Sequence, residues 1–321
     1  MDPAQFLTAS RVIIVAGKGG VGKTAVTATL AVAASSIGLR VLVVEVEGKD
    51  SMASMFETNQ LSYTELELIT AATDHAGVHA RTVTPDDALL DYLNERGLQR
   101  LSKRLVSTGL LDMIATAIPG IRDILVLGKV KQLERSGTFD LILVDAPAAG
   151  HAITFLRSAS GLADAVSVGP INAQATEVLD LLSDPERCRV VLVTIPEETP
   201  VNELIETAYS LEDSVGVALG PVVVNGIHPE LAGLAVDPEV AAEQAGVALV
   251  AGEADALRGA AGFRTSRSDL QHAQLDRMAE VLPLPQIRLP DLFTSSLGRD
   301  ELDRLAEEFL RQVAELPDST A

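Results

Sequence analysis

The sequence predicts an α/β fold: a doubly wound, mainly parallel sheet flanked by helices, with a small helical peripheral subdomain. Three observations predict it. Short apolar runs alternate with helix-patterned stretches along the chain, as βαβ units require. The runs are continuous and β-branched (VIIV, VLVV, LILV, VVLV, VVV), as strands covered by helices on both faces must be. A glycine-rich segment, Gly17-Lys18-Gly19-Gly20-Val21-Gly22-Lys23-Thr24, stands between the first run and the first helical pattern.

Strands are predicted at Arg11–Ala16, Arg40–Val46, Val78–Val83, Phe139–Val144, Arg189–Thr194, Val217–Asn225 and Gln286–Leu289. Helices fill the gaps. Gly22–Ile37 follows the first strand and stops at Gly38, which can take the left-handed conformation that ends a helix. Thr84, Pro85 and the acids Asp86 and Asp87 read as an N-cap, an N1 proline and a first turn matched to the helix dipole. Ile121–Arg135 and Val201–Leu211 repeat apolar residues every three or four positions, and Leu297–Leu316 closes the chain as an amphipathic helix. The stretch Ala245–Phe263 is rich in Ala and Gly and leaves a loose helix pair and a mobile excursion both open within 245–280. No repeat or linker interrupts the 321 residues, so a single domain over 1–321 is expected, with 51–137 a partly peripheral helical insertion.

Composition removes whole classes of function. There are 45 acidic against 25 basic residues, a net charge of −20, which a nucleic-acid backbone would repel. Cys188 is the sole cysteine. That excludes an internal disulfide, a Cys-x-x-Cys zinc site and a self-contained iron–sulfur site, and fits a reducing cytoplasm. Met1–Ser10 lacks the basic-then-apolar order of a signal peptide. The longest uncharged runs fall short of the roughly 20 apolar residues a membrane span needs, so membrane contact is expected only through a partner.

The glycine-rich segment satisfies G-x-x-x-x-G-K-[ST] between strand and helix. Its glycines let backbone N–H groups curl around phosphates, and the helix N-terminus adds a positive dipole. Lys23 is placed to neutralise β- and γ-phosphates, and Thr24 to offer a hydroxyl to Mg²⁺. Lys18 is a second lysine inside the loop. With it, the motif resembles the signature-lysine, or deviant-Walker, class of P-loop ATPases. In that class the first lysine reaches across a dimer interface to the partner's nucleotide, so Lys18 implies a dimer.

Downstream segments select a branch of that class. Asp145-Ala146-Pro147-Ala148-Ala149-Gly150-His151, with Phe155 and Leu156, resembles the switch II segment D-T-A-P-T-G-H-T-L-R-F-L of the arsenite-pump and tail-anchored-protein-targeting ATPase family. The two threonines after the aspartate are alanines here. Asp145 is expected to support Mg²⁺ through water, and Gly150 to permit a conformational swing. Thr194-Ile195-Pro196-Glu197-Glu198 resembles the segment after the next strand. Glu203 is a candidate for meeting the partner's Lys18, or an ordinary acid at a helix start. Val222-Val223-Val224-Asn225 resembles the family's strand end, whose asparagine reads adenine; an amide can both donate and accept, as adenine demands. Leu289-Pro290-Asp291-Leu292-Phe293 resembles the final strand and loop, where Pro290 and Leu292 would pack by the base. The resemblance implies nucleotide contacts from Gly17, Lys18, Gly19, Gly20, Val21, Gly22, Lys23, Thr24, Ala25, Asn225, Pro290 and Leu292. Thr24 and Asp145 would serve Mg²⁺.

Departures from the family are as informative. Its switch I, T-D-P-A-H-[NS]-L, uses the aspartate to position the attacking water. Here the segment is Val46-Glu47-Gly48-Lys49-Asp50-Ser51-Met52, with Glu47 at the aspartate and Asp50 at the histidine. Glutamate sets its carboxylate one C–C bond further out, and a misplacement of about 1 Å can cost on the order of 10²-fold in rate. The catalytic set implied is therefore Lys18, Lys23, Glu47 and Asp50, with turnover in question. The cysteines of arsenite pumps and the zinc bridge of targeting ATPases are missing, and five methionines are too few for a client groove. A basic cluster, Arg96, Arg100, Lys103 and Arg104, reads as a solvated helix face. The histidines share no ligand spacing.

The resemblance implies an ATP/ADP- and Mg²⁺-dependent hydrolysing switch that works as a homo- or heterodimer. A heterodimer with a paralogue is favoured, as in the similar paired anion-transporting ATPase subunits of actinobacteria. The alternative is a nucleotide-binding structural subunit with little turnover. A septum-positioning or partitioning role would need a basic or membrane-seeking helix, and the C-terminal helix, with Glu301, Asp303, Glu307, Glu308 and Glu315, is too acidic.

Overall fold

The computed structural model describes residues 1–46, 51–95, 97, 120–165 and 169–317. The chain opens with α1 (Pro3–Thr8), β1 (Val12–Gly17), α2 (Lys23–Ser36), β2 (Val41–Glu45) and α3 (Ser51–Met55). Next come β3 (Leu66–Ile69), β4 (Val78–Thr82), α4 (Pro85–Glu95), α5 (Ile121–Ser136), β5 (Leu141–Ala148), α6 (Ala149–Ala165) and α7 (Pro170–Leu182). It closes with β6 (Cys188–Thr194), α8 (Glu198–Val215), β7 (Ala218–Leu219), β8 (Val222–Ile227), α9 (Pro238–Ala245), α10 (Glu253–Val281), β9 (Gln286–Pro290) and α11 (Arg299–Glu315).

The strands form one sheet in the order β3-β4-β2-β5-β1-β6-β8-β9, with β7 beside β6. All pairings are parallel except β3 with β4. This is the mainly parallel α/β fold that the alternating pattern predicts. β1 sits between β5 and β6. The connection from β1 runs to β2 on one side and that from the neighbouring β5 runs to β6 on the other, which opens a crevice at the carboxyl ends of these strands.

The apolar runs are continuous because each strand feeds two cores. Val12, Ile14 and Ala16 face one cluster with α5, α6, α7 and α8, while Ile13 and Val15 face another with α2 and α11. Phe6 of α1 packs against Phe309 of α11 with ring centroids 5.9 Å apart. Burying a side chain such as Leu30 or Leu42 contributes about 1.5–3 kcal/mol, and both are fully buried.

Two elements differ from the sequence expectation. β3 is an edge strand of four residues with one buried side chain, Ile69; such a strand carries too little apolar signal to stand out. The run Val217–Asn225 divides into β7 and β8, because Pro221 has no N–H to give the ladder. Within 51–137, β3 and β4 join the sheet, and α5 buries Ile121, Ile124, Val126, Leu127 and Val130 in the core. The Ala/Gly-rich stretch runs from the last residue of α9 through a connection at 246–252 into the start of α10. Among the described residues, no helix is long and apolar enough to cross a membrane.

Candidate functional site

β1 ends at Gly17, and the loop 18–22 carries the chain into the N-terminus of α2. Two glycines are dictated by contact. A Cβ on Gly17 would lie 2.2 Å from the Val193 carbonyl oxygen of β6. Gly22 has φ +89°, and a Cβ there would meet Asn225 Nδ2 at 2.2 Å, so it combines a left-handed backbone with close approach. Gly19 and Gly20 are exposed, whereas the Val21 side chain is buried at 1%; Val21 can offer a ligand only its backbone. Gly22 caps α2 without a side-chain hydrogen bond. The first N–H groups of the helix are thus left for an anion.

Lys23 is buried, and its Nζ donates to the Lys18 carbonyl at 3.1 Å. This holds the ammonium under the loop. Thr24 Oγ1 donates to Asp145 Oδ2 at 2.7 Å, and Asp145 is 3% exposed in β5. Hydroxyl and carboxylate oxygens are the hard donors that Mg²⁺ takes, so this pair fits that ion. Next to it in the sheet stands Glu45, paired in register with Asp145. Glu45 is also buried, and its Oε2 accepts from Thr82 Oγ1 at 3.1 Å. Sequence reading passed over Glu45. The available signal was an acid closing an otherwise apolar run.

Asn225, within β8, donates from Nδ2 to the Val21 carbonyl at 3.1 Å. Its amide therefore braces the loop with one hydrogen and keeps further hydrogen-bonding capacity. Ala25, Asn225, Pro290 and Leu292 line one cavity of about 290 Å³, at the small end of ligand sites and suited to one planar heterocycle. Nearby in the chain, His228 and Phe293 face each other with ring centroids 5.8 Å apart. Burial, and then the nearby Arg264 guanidinium, lower His228 from the ordinary histidine value.

Lys18 Nζ lies 2.6 Å from Glu203 Oε1 of the same chain. The sequence leaves Glu203 as either a mate for the partner's Lys18 or an ordinary helix-start acid; here it holds the Lys18 of its own chain. α8 carries Glu203 to the mouth of the loop because Pro200, Val201 and Leu204 bury its other face. Glu47 and Asp50 lie outside the described residues, as do Arg96, Arg100, Lys103 and Arg104. Of the remaining candidates, the structure gathers the loop, Thr24 and Asp145 at the carboxyl end of β1 and β5, and Ala25, Asn225, Pro290 and Leu292 beside them.

Comparison with known proteins agrees with this geometry. The family described as Anion-transporting ATPase matches residues 10–168. ATPase BagA of Mycobacterium tuberculosis is 31% identical over 330 residues, covering 95% of this chain and 94% of that protein. The arsenical pump-driving ATPase of Escherichia coli is 26% identical over 234 residues, 66% of this chain and 39% of that one. ATPase get3 of Schizosaccharomyces japonicus is 28% identical over 150 residues, 47% of this chain and 44% of that one.

Proposed function

Because the chain belongs to the anion-transporting ATPase family, we propose that it is a Mg²⁺-dependent, ATP-hydrolysing dimeric switch, working as one subunit of a paralogous heterodimer in the cytoplasm. The observation that carries this reading is the contact of Thr24 Oγ1 with the buried Asp145 carboxylate at 2.7 Å, at the foot of a loop that encloses Lys23.

Phosphoryl transfer is mostly positioning and charge stabilisation, and the residues divide that work. The loop N–H groups and Lys23 hold the β- and γ-phosphates. Thr24 and Asp145 would hold Mg²⁺, which would supply positive charge against that developing on the phosphate oxygens. Asn225, Ala25, Pro290 and Leu292 hold adenine. Glu47 positions the attacking water, with Asp50 in support. Lys18 leaves Glu203 and serves the nucleotide of the partner subunit.

Chemistry speaks against metalloid transport and tail-anchor capture. Cys188 is fully buried and cannot join a thiolate set. Met52, Met55 and Met278 are packed in the core and cannot line a client groove. The heterodimer is favoured by Glu47, which weakens this chain's own water positioning. The test is phosphate release from ATP with Mg²⁺, comparing wild type with Lys23→Ala and Asp145→Ala. Activity lost in both supports the reading. Activity unchanged in both overturns it.

A further inference from the structure

An apolar groove of about 840 Å³ lies outside the nucleotide site, between α9, α10 and the loop after β9. Leu231, Val247, Leu257 and Phe293 line it, at 53%, 58%, 45% and 64% exposed. It is therefore an open trough and not a closed cavity. The surrounding helices are poorly anchored to the core. α9 buries no residue, and α10 buries only Gln271, Leu275 and Met278, all in its C-terminal half. The first four turns of α10 thus stand away from the sheet with apolar side chains uncovered, Phe263 at 71% among them. Contiguous apolar surface of this kind marks an interaction site.

Charge selects the occupant. Residues 229–264 carry six acids, Glu230, Asp237, Glu239, Glu243, Glu253 and Asp255, all exposed. Against them stand two cations. Arg258 is taken up by Asp237, Glu239 and Asp255 at 2.9, 3.3 and 2.8 Å. Arg264 lies over the Phe293 ring at 5.0 Å. A second copy of this chain would press acid against acid, and an anionic membrane or nucleic acid would be repelled in the same way. We propose that the α9–α10 groove docks an amphipathic helix of another protein, apolar on one face and flanked by Lys or Arg, in helix-in-groove fashion. Phe293 forms one wall, and the preceding Leu292 lines the cavity beside the phosphate loop. The docked helix thus adjoins the site of the proposed ATPase, although its binding does not depend on turnover.

The test uses the full chain and fluorescence anisotropy. The probe is a labelled peptide of about five helical turns, with leucines at helical spacing and lysine flanks. Controls are a scrambled peptide of the same composition and one with glutamates in place of the lysines. The probe should bind at least tenfold more tightly than either control. Leu257→Asp and, separately, Val247→Asp should weaken probe binding at least tenfold, with circular dichroism unchanged. Both variants add negative charge, so non-specific attraction of a basic peptide would hold or rise. Equal binding to wild type and either folded variant overturns the proposal, as does equal binding of the scrambled or acidic peptide. Self-association of the wild type that Leu257→Asp abolishes in sedimentation assigns the groove to a second copy, and overturns it too.

Discussion

Lys18 and Glu203 form an ion pair at 2.6 Å within one chain, although 185 residues separate them. Each side chain is more than a third exposed, and exposed pairs are worth about 0–1 kcal/mol. The pair is therefore a weak restraint on the lysine that the account sends across a dimer interface. Glu203→Gln should leave the melting temperature nearly unchanged. It should lower the protein concentration needed for ATP-driven dimerisation by up to about fivefold, as read by sedimentation. A higher concentration requirement would show that Glu203 acts in the dimer itself.

Thr24→Val removes the hydroxyl that meets Asp145 and keeps the shape of the side chain. Loss of one charge-positioning group costs about 10²–10³ in rate. Mg²⁺-dependent phosphate release should fall by that factor, and ADP binding measured without Mg²⁺ should stay within a few-fold. A parallel loss of metal-free ADP binding would point to a collapsed loop.

Gly22 and Gly38 make a matched pair. Both have positive φ, +89° and +91°, but a Cβ at Gly38 meets nothing within 4 Å, whereas one at Gly22 meets Asn225 Nδ2 at 2.2 Å. Gly38→Ala should cost about 1–2 kcal/mol, the left-handed backbone penalty, with nucleotide affinity intact. Gly22→Ala should carry the same penalty, displace the Asn225 amide, and weaken nucleotide binding about tenfold, the worth of a hydrogen bond at about 1.4 kcal/mol. Calorimetric melting and nucleotide titration of the two variants separate backbone strain from site damage.

Cys188 is fully buried, and desolvation pushes its thiol up to about 12. The thiolate is the reactive form, so a disulfide reagent at pH 8 should label the native chain negligibly and the guanidinium-unfolded chain once. The pH dependence follows in sign. The unfolded thiol ionises near 9.0, and the folded one resists. This group's contribution to stability is complete below pH 9 and declines as pH rises toward 12. Rapid labelling of the native protein would contradict its burial.

What the sequence revealed follows from where its signals agree. β1, the loop and α2 fall within about one residue of expectation, because an apolar run, a glycine-rich turn and a helical pattern all specify the same path. Leu66–Ile69 escaped notice because an edge strand needs little apolar content. Glu45 escaped because an acid at a strand end ordinarily meets water, and only the register with Asp145 reveals it as buried beside the Mg²⁺-type donor set. The pairing of Lys18 with Glu203 depends on how α8 seats its apolar face, which no local pattern encodes. Phe293 has φ +51°, and its position as a groove wall emerges only once β9 and α10 are packed. The nucleotide loop was thus legible because it is local. The ion pair and the groove were not, because they are products of packing.

The measurement that bears most directly on the nucleotide switch is Mg²⁺-dependent phosphate release by the purified chain, alone and co-purified with its nearest paralogue, with Lys18→Ala and Lys23→Ala variants of this chain in parallel. Turnover should be low for the chain alone, rise with the paralogue, and fall on either substitution. Tight nucleotide binding with no turnover in either state would contradict it and leave a structural, nucleotide-stapled subunit in its place.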